Sequence, residues 1–486
     1  MRQLPRKPAA LCFDFNCLIY RCIRAPSMPV YRSEDHDSWD AWEKELLKEV
    51  ERTVKEVWVT AGKPACVLLA VDGVVPMAKI RQQRVRRFKS AWLRSSSSES
   101  WDTNAITPGT EFMNSLGLVL NSLAAKHKGW TVSGVDEHGE GEHKIMKWLR
   151  DGAFEGDIVV YGLDADLILL SMLVGEEKGL NLFLLREKQE FGRMATATTG
   201  STASQIQEYQ FMNIREFQGR LGLSGDNVLN YIGYMSLMGN DFLPHSLTHK
   251  LSDDGHEFVV RSMAEQKAPL IEGGRVSLSV LKGVLLSWSR GEEDRMLHMI
   301  RKKREQAMRG VSKGMAAEEG LPLKWDAEAA LMDGAALKRE WKHEYWRLLH
   351  ANYDVDQVCG EYIKGFQWII DYYTGKPVNS SWIFPAWIPP LWSDLAAFLE
   401  VERSVEIVGS GAVPLPAEQL AMVLPLESWG LVKGDLRRLP GLMPQMWPRK
   451  FGFVSLGRKW LWECEAKIPV LMVERIRELV PCVAEY

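Results

Sequence analysis

Residues 158–167 read IVVYGLDADL. A short apolar run, rich in β-branched residues, stops at a turn carrying Asp164 and Asp166. Such a run is the mark of a strand buried on both faces, as in a parallel sheet. Two further segments repeat the pattern, Ala9–Asp14 (AALCFD) and Cys66–Asp72 (CVLLAVD). Leu182–Arg186 reads as a fourth strand, and the helical periodicity of Trp39–Val59 supplies the first crossover. Strands alternating with helices define an α/β fold with a mostly parallel sheet and helices on both faces. In such a sheet the carboxyl ends of neighbouring strands lie together and form the ligand crevice.

Seven acids fall at or near such positions: Asp14, Asp72, Glu140, Glu142, Asp164, Asp166 and Asp241. Taken singly, Asp14 or Asp72 has a plain alternative as a helix N-cap. Caps do not, however, require the alternating pairs Glu140/Glu142 and Asp164/Asp166. Seven carboxylates in one crevice repel and raise one another's pKa unless cations lie among them. Divalent metals are the remedy, and paired metal ions about 3.5–4 Å apart serve many nucleases. A phosphatase using an aspartyl nucleophile would need an Asp-x-Asp on the first strand, where this chain has Asp14-Phe15-Asn16. There is no GxxxxGK[ST] loop, which leaves an ATPase or helicase unsupported.

Directly after Asp72 comes GVVPMAKIRQQRVRRFKS. Pro76 suits the first turn of a helix. Lys79, Gln83, Arg86 and Arg87 then share one face at i, i+4, i+7 and i+8. Their position beside Asp72 points to a terminal-phosphate pocket, with Arg as a rigid fork and Lys as a point charge. A solvated basic face is the plain alternative.

The 486 residues carry 60 Lys+Arg and 63 Asp+Glu, net -3, so nucleic-acid affinity must come from local patches and not from a global field. Seven scattered cysteines without a CxxC pair fit reduced thiols in an intracellular protein, with cytoplasm expected over nucleus. No run approaches the ~18 apolar residues of a membrane span, and the N-terminal apolar run is too short for a signal peptide. Three regions are expected: an α/β domain over 1–250, a charged variable insert over 251–334, and a mainly helical, Trp- and Pro-rich unit over 335–486. The run RKKRE at Arg301–Glu305 reads as a solvated helix face. Ser95–Ser100 and Thr196–Ser204 read as polar loops.

The motifs DFNCLIYRC, VDGVVPMAKIRQQRVRRF, GEGEHKIM, YGLDADLILL, LLRE and GNDFLPH, in this order, resemble the first conserved region of the Xrn/Rat-type 5′→3′ exoribonucleases. YIKGFQWIIDYYTGKPVNSSWIFPAW, PLPAEQLAMVLP and GRKWLWECEAKIPV resemble the second. The resemblance implies a nuclease core of the PIN and flap-endonuclease type with a helical unit packed on it. It implies that the seven acids hold two Mg2+ or Mn2+ ions. It assigns Lys79, Gln83, Arg86 and Arg87 to a 5′-phosphate pocket, and Trp382 to stacking on the 5′-terminal base. The family pairs that tryptophan with a histidine, and Tyr20 stands at the corresponding position here; a tyrosine ring still stacks but carries no imidazole proton.

Family members usually open with MGVPxFxRWL, where this chain has MRQLPRKPAA, and the long C-terminal extension of the largest members is absent, which suggests a compact form. The activity so implied is processive 5′→3′ degradation of single-stranded, 5′-monophosphorylated RNA to nucleoside 5′-monophosphates by a monomer. A structure-specific flap- or PIN-type endonuclease, or a non-catalytic RNA 5′-end binder, are the alternatives. The second region speaks against the first alternative, and the full set of seven acids against the second.

Overall fold

A computed structural model describes residues 7–31, 36–93, 100–162, 164–187, 209–308, 326–349, 354–401, 405–407, 409–458 and 463–481. The expected loop at Thr196–Ser204, and all but the last residue of that at Ser95–Ser100, lie outside them. The chain divides into two compact units, residues 1–74 with 99–228, and residues 75–98 with 229–486.

The first unit is built on six strands: β1 (Ala10–Asp14), β2 (Cys66–Ala70), β3 (Trp130–Ser133), β4 (Asp157–Tyr161), β5 (Asn181–Glu187) and β6 (Tyr209–Asn213). Their order is β3-β2-β1-β4-β5-β6. All neighbours are parallel except β5 and β6. The apolar residues of β1 are fully buried, as a strand covered on both faces requires. The expected strands are all present. β3 and β6 are additional, one only four residues long, the other half-buried along its length.

The helices of this unit are α1 (Phe15–Ile23), α2 (His36–Thr60), α4 (Glu111–Ala125), α5 (Gly141–Asp151), α6 (Asp166–Lys178) and α7 (Ile214–Arg220), with α3 (Met77–Leu93) belonging to the second unit. Right-handed crossovers send the connections β1→β2→β3 over one face and β3→β4→β5 over the other. Accordingly α2 packs on α4, and α5 on α6. Between β1 and β4 the connections leave in opposite directions. This is the switch point at which open α/β sheets bind ligands.

The second unit is helical, with short two-stranded ribbons. One of its cores joins Met77, Ile80, Val85 and Phe88 of α3 to Leu420, Leu439, Trp447 and Ile476. The run RKKRE corrects the expectation of a solvated face at one position. Lys303 is buried, its ammonium 2.6 Å from the equally buried Glu328 and 2.7 Å from the Ser455 carbonyl. A charge taken that far from water needs such partners, whereas Arg301, Arg304 and Glu305 are exposed. No described helix is long and apolar enough to cross a membrane.

Candidate metal and phosphate sites

The parallel register levels Asp14, the last residue of β1, with Ala70, the last of β2. Asp72 lies two residues further on, and the backbone there is tied to the loop before α5. The Gly73 amide donates to the Gly139 carbonyl at 2.9 Å, and the Gly139 amide returns a bond to the Val74 carbonyl at 2.7 Å. A side chain at 73 would not fit, since its Cβ would stand 1.8 Å from the Glu137 carbonyl oxygen. This pairing fixes Asp72 against the first turn of α5. The Gly141 amide donates to Asp72 Oδ1 at 2.7 Å, and Asn16 Nδ2 donates to Asp72 Oδ2 at 2.9 Å.

Gly141 stands where the ends of β1 and β2 meet the start of α5. A Cβ there would stand 2.8 Å from Asp14 Oδ1, 3.5 Å from Asp72 Oδ1 and 2.7 Å from the Ala70 carbonyl. Glu140 caps α5 with its backbone while its side chain makes no capping bond, and Glu142 follows in the first turn. One ligand atom each from Glu140, Glu142 and His143 lies within 4.8 Å of the others. On the other side, Asp14 faces the exit of β4, its Oδ2 being 3.5 Å from where a Gly162 Cβ would be. Asp164 is exposed and Asp166, the first residue of α6, is half-buried.

Asp14, Glu140 and Glu142 are each more than nine-tenths buried. Buried carboxylates so close need positive charge, and the N-terminus of α5 supplies only a fraction of one. The ammonium of Lys144 is turned away, donating to the Val71 and Gly134 carbonyls at 2.7 and 2.6 Å. Its burial lowers the amine to about 8, against the attraction of Glu137, Asp72 and Asp136. A pocket lined chiefly by carboxylates, with a cradle that a single methyl group would fill, fits magnesium or manganese.

In the second unit, Asp241 is bound to α3. Its Oδ2 is 2.6 Å from Lys79 Nζ, and its Oδ1 accepts from Gln82 Nε2 at 3.4 Å. Of the expected phosphate-binding face, Gln83 and Arg87 are buried and Arg86 is exposed. The side-chain oxygen of Gln83 has no partner among the described residues. The neighbouring face of α3 lines a cavity of about 630 Å³ with Arg81, Arg86, Lys89, His245 and Arg458.

Arg84, passed over in the sequence, is 1% exposed. Its guanidinium donates to the carbonyls of Pro469, Met422 and Met446, and its burial lowers its pKa to about 9. Trp382 is 6% exposed, with its ring 5.3 Å from that of Trp368 and its Nε1 donating to Glu361 at 3.1 Å. Trp368 also meets Phe242, next to Asp241, at 5.1 Å. Tyr20, on α1 of the first unit, is 37% exposed.

Two stretches of the chain match known families. Residues 3–188 match the XRN 5'-3' exonuclease N-terminus, and residues 337–485 match the Xrn1 helical domain. The chain belongs to the XRN 5'-3' exonuclease family. Human 5'-3' exoribonuclease 1 is 26% identical over 562 aligned residues, covering 96% of this chain and 32% of the human protein. The 5'-3' exoribonuclease 1 of Saccharomyces cerevisiae is 28% identical, covering 48% of this chain and 17% of its own length. A 5'-3' exoribonuclease 2 of Cryptococcus neoformans is 34% identical over 207 residues, covering 34% of this chain and 17% of its own. The chain thus spans a third or less of the length of these three relatives. Its six-stranded sheet is the PIN-like nuclease core of this family of phosphodiester hydrolases, which are typically metal-dependent.

Three residues of the first-unit site escaped the sequence reading. Asn16 lies 56 residues from the Asp72 that it holds. Lys144 bonds to the backbone carbonyls of Val71 and Gly134, which leave no trace in a sequence. His143 stood in view inside GEGEHKIM but was overshadowed by its acidic neighbours.

Proposed function

We propose that this chain is a processive 5′→3′ exoribonuclease that degrades single-stranded RNA bearing a 5′-monophosphate. The observation that carries it is the set of buried acids gathered round the α5 N-terminus, at the switch point of a sheet of this family. Asp14, Asp72, Glu140, Glu142, Asp164 and Asp166 are the residues that would hold two Mg2+ or Mn2+ ions, and the family motif adds Asp241 to the set. When bound, the ions supply an activated water and stabilise the leaving 3′ oxygen.

The rest falls to the chain's own side chains. Asn16 and the Gly141 amide orient the Asp72 carboxylate. Lys79, Gln83, Arg86 and Arg87 bind the 5′-phosphate, a small dianion that they can surround where a bulky chain of phosphates does not fit. Each hydrolysis then leaves a new 5′-monophosphate of the same chemistry, which is why the cycle repeats without release. Stacking by Trp382 and Tyr20 selects unpaired bases.

The test is incubation of the protein with 5′-phosphorylated and 5′-hydroxyl RNA and magnesium, with and without EDTA. Mononucleotides released from the phosphorylated RNA alone, and only without EDTA, are expected. Internal fragments would assign it to the endonucleases, and intact RNA would leave an end-binding protein.

A further inference from the structure

Residues 374–391 join the helices Val355–Tyr373 and Trp392–Phe398 and contain neither helix nor strand. Burial nonetheless alternates residue by residue from Ser381 to Ile388, the period of an extended chain. A segment of this kind has no ladder of its own, so its buried carbonyls must find partners elsewhere. Two of them find one in Arg81 of α3. Its Nη1 donates to the Phe384 carbonyl at 2.5 Å and its Nη2 to the Ala386 carbonyl at 2.8 Å. Carbonyls two residues apart in an extended chain face the same way, and Pro385 between them favours that conformation at Phe384. The guanidinium also lies over the Trp387 ring, 4.6 Å from its centre. One turn earlier on α3, the Met77 amide donates to the Ser380 carbonyl at 2.8 Å. Trp382 lies between these two ties.

We infer that Arg81 is a positioning residue, which splints the Trp382 segment to α3 and so fixes the spacing between the stacking ring and the phosphate-binding face. This role rests on the stacking by Trp382 proposed above and names the residue that enforces it. Lys79 and Gln83 stand two residues to either side of Arg81 on the same helix. A grip on the 5′-phosphate and a ring on the 5′-terminal base, held at one separation, admit one nucleotide per step. A small misplacement of such groups is costly in rate. Lysine cannot replace the arginine, because an ammonium has neither the fork for two carbonyls nor the flat face for Trp387.

The probe is 5′-phosphorylated RNA with 2-aminopurine as its 5′-terminal base, bound to the full chain in EDTA. A ring stacked on that base quenches its fluorescence. The wild type should quench it. Arg81→Ala and Arg81→Lys should bind the RNA nearly as tightly, since the phosphate-binding face is untouched, yet lose most of the quenching. With magnesium and ordinary RNA, kcat should fall about tenfold while KM stays near that of the wild type. On RNA whose 5′-terminal nucleotide is abasic, variants and wild type should be equally slow, because the ring then has no base to meet. A residue needed only for folding would slow both RNAs alike. Arg81→Lys keeps the charge and most of the stem, and it serves if thermal melts show that Arg81→Ala does not fold.

Unchanged quenching in a folded variant, slowing of the same size on both RNAs, or a wild type that does not quench overturns the inference. Because the quenching is read without cleavage, the two readings part cleanly. Arg81-dependent quenching by a protein that leaves RNA intact upholds the splint and sinks the exonuclease. Mononucleotide release by a protein whose quenching is indifferent to Arg81 does the reverse.

Discussion

At the scale of single residues, the site is a matter of carboxylates whose positions are set by backbone. Asp164→Ala or Asp166→Ala is expected to abolish RNA turnover while binding of 5′-phosphorylated RNA stays near that of the wild type. Metal ligands act on the transition state, whereas the basic face acts on the ground state. Turnover measured beside binding affinity checks this, and near-normal turnover removes the residue from the site. Gly141→Ala is a sharper probe of the geometry. The added methyl would stand 2.7 Å from the Ala70 carbonyl and 2.8 Å from Asp14 Oδ1, so one of them must move. Overpacking of this kind costs about 1–3 kcal/mol, and the displaced carboxylate should also weaken Mn2+ binding. Unaltered stability and metal affinity in Gly141→Ala would show that the Asp14 carboxylate stands elsewhere. Asp14, Asp72, Glu140 and Glu142, which the fold gathers round the start of α5, stood out in the sequence because each follows an apolar run or sits in an alternating pair. Asn16, His143 and Lys144 did not, because their roles depend on which backbone or carboxylate the fold brings beside them.

At the scale of elements, apolar runs announced β1, β2, β4 and β5, since a parallel strand buried on both faces has no polar alternation to blur it. β3 is too short for that signal, and β6 is half-buried throughout. The basic helix was legible as a helix, but its burial was not. Helical spacing puts Lys79, Gln83, Arg86 and Arg87 on one face of α3, while the fold buries Gln83 and Arg87 and sinks Arg84, off that face, among three carbonyl groups of the C-terminal segment. Arg84→Ala should therefore destabilise by about 3 kcal/mol or more, as buried carbonyls lose charge-assisted bonds. Denaturant melts check it, and a loss below about 1 kcal/mol would mean that α3 is held chiefly by its apolar face. His249 gives this unit a pH response. Its Nδ1 accepts from Trp392 Nε1 at 3.1 Å, its ring stacks on Phe258 at 4.1 Å, and burial, aided by Arg295, pushes it from 6.5 down to about 3. Between those values the unfolded chain binds a proton that the folded one refuses. Stability is therefore full above pH 6.5 and falls on acidification toward pH 3, by at most about 1.4 kcal/mol per pH unit from this group. His249→Gln, whose amide oxygen still accepts from Trp392, should flatten that part of the pH profile. An unchanged slope would place the acid sensitivity elsewhere.

At the scale of the whole molecule, the two family regions fall on different sides of the division of the chain, except that residues 75–98 lie in the second unit although the sequence delivers them from a strand of the first. Contiguity in sequence could not reveal this, because what assigns α3 is its packing on residues more than three hundred positions away. The same consideration governs Trp382. The family motif marks it as a stacking residue, yet its ring is 6% exposed, leans on Trp368 and donates to Glu361. A Cβ on Gly365 would stand 2.4 Å from that ring, so the helix Val355–Tyr373 accepts it only because position 365 has no side chain. Trp382→Ala should consequently cost about 3–5 kcal/mol of stability as a core truncation. The loss of stacking on one base, roughly 1–3 kcal/mol, should also slow each step by one to two decades. Initial capture should weaken less and keep its salt dependence, since the phosphates are held electrostatically. Tyr20 separates the two contributions. At 37% exposure, Tyr20→Ala should leave the thermal melt nearly unchanged and still slow stepping, and Tyr20→His should restore or improve it. A single-turnover ladder on long RNA, run beside a melt of each variant at a temperature where all are folded, decides the matter. If folded Trp382→Ala releases as many nucleotides per binding event as the wild type and Tyr20→Ala is silent, both rings belong to packing and the step must be set by the phosphate-binding face alone.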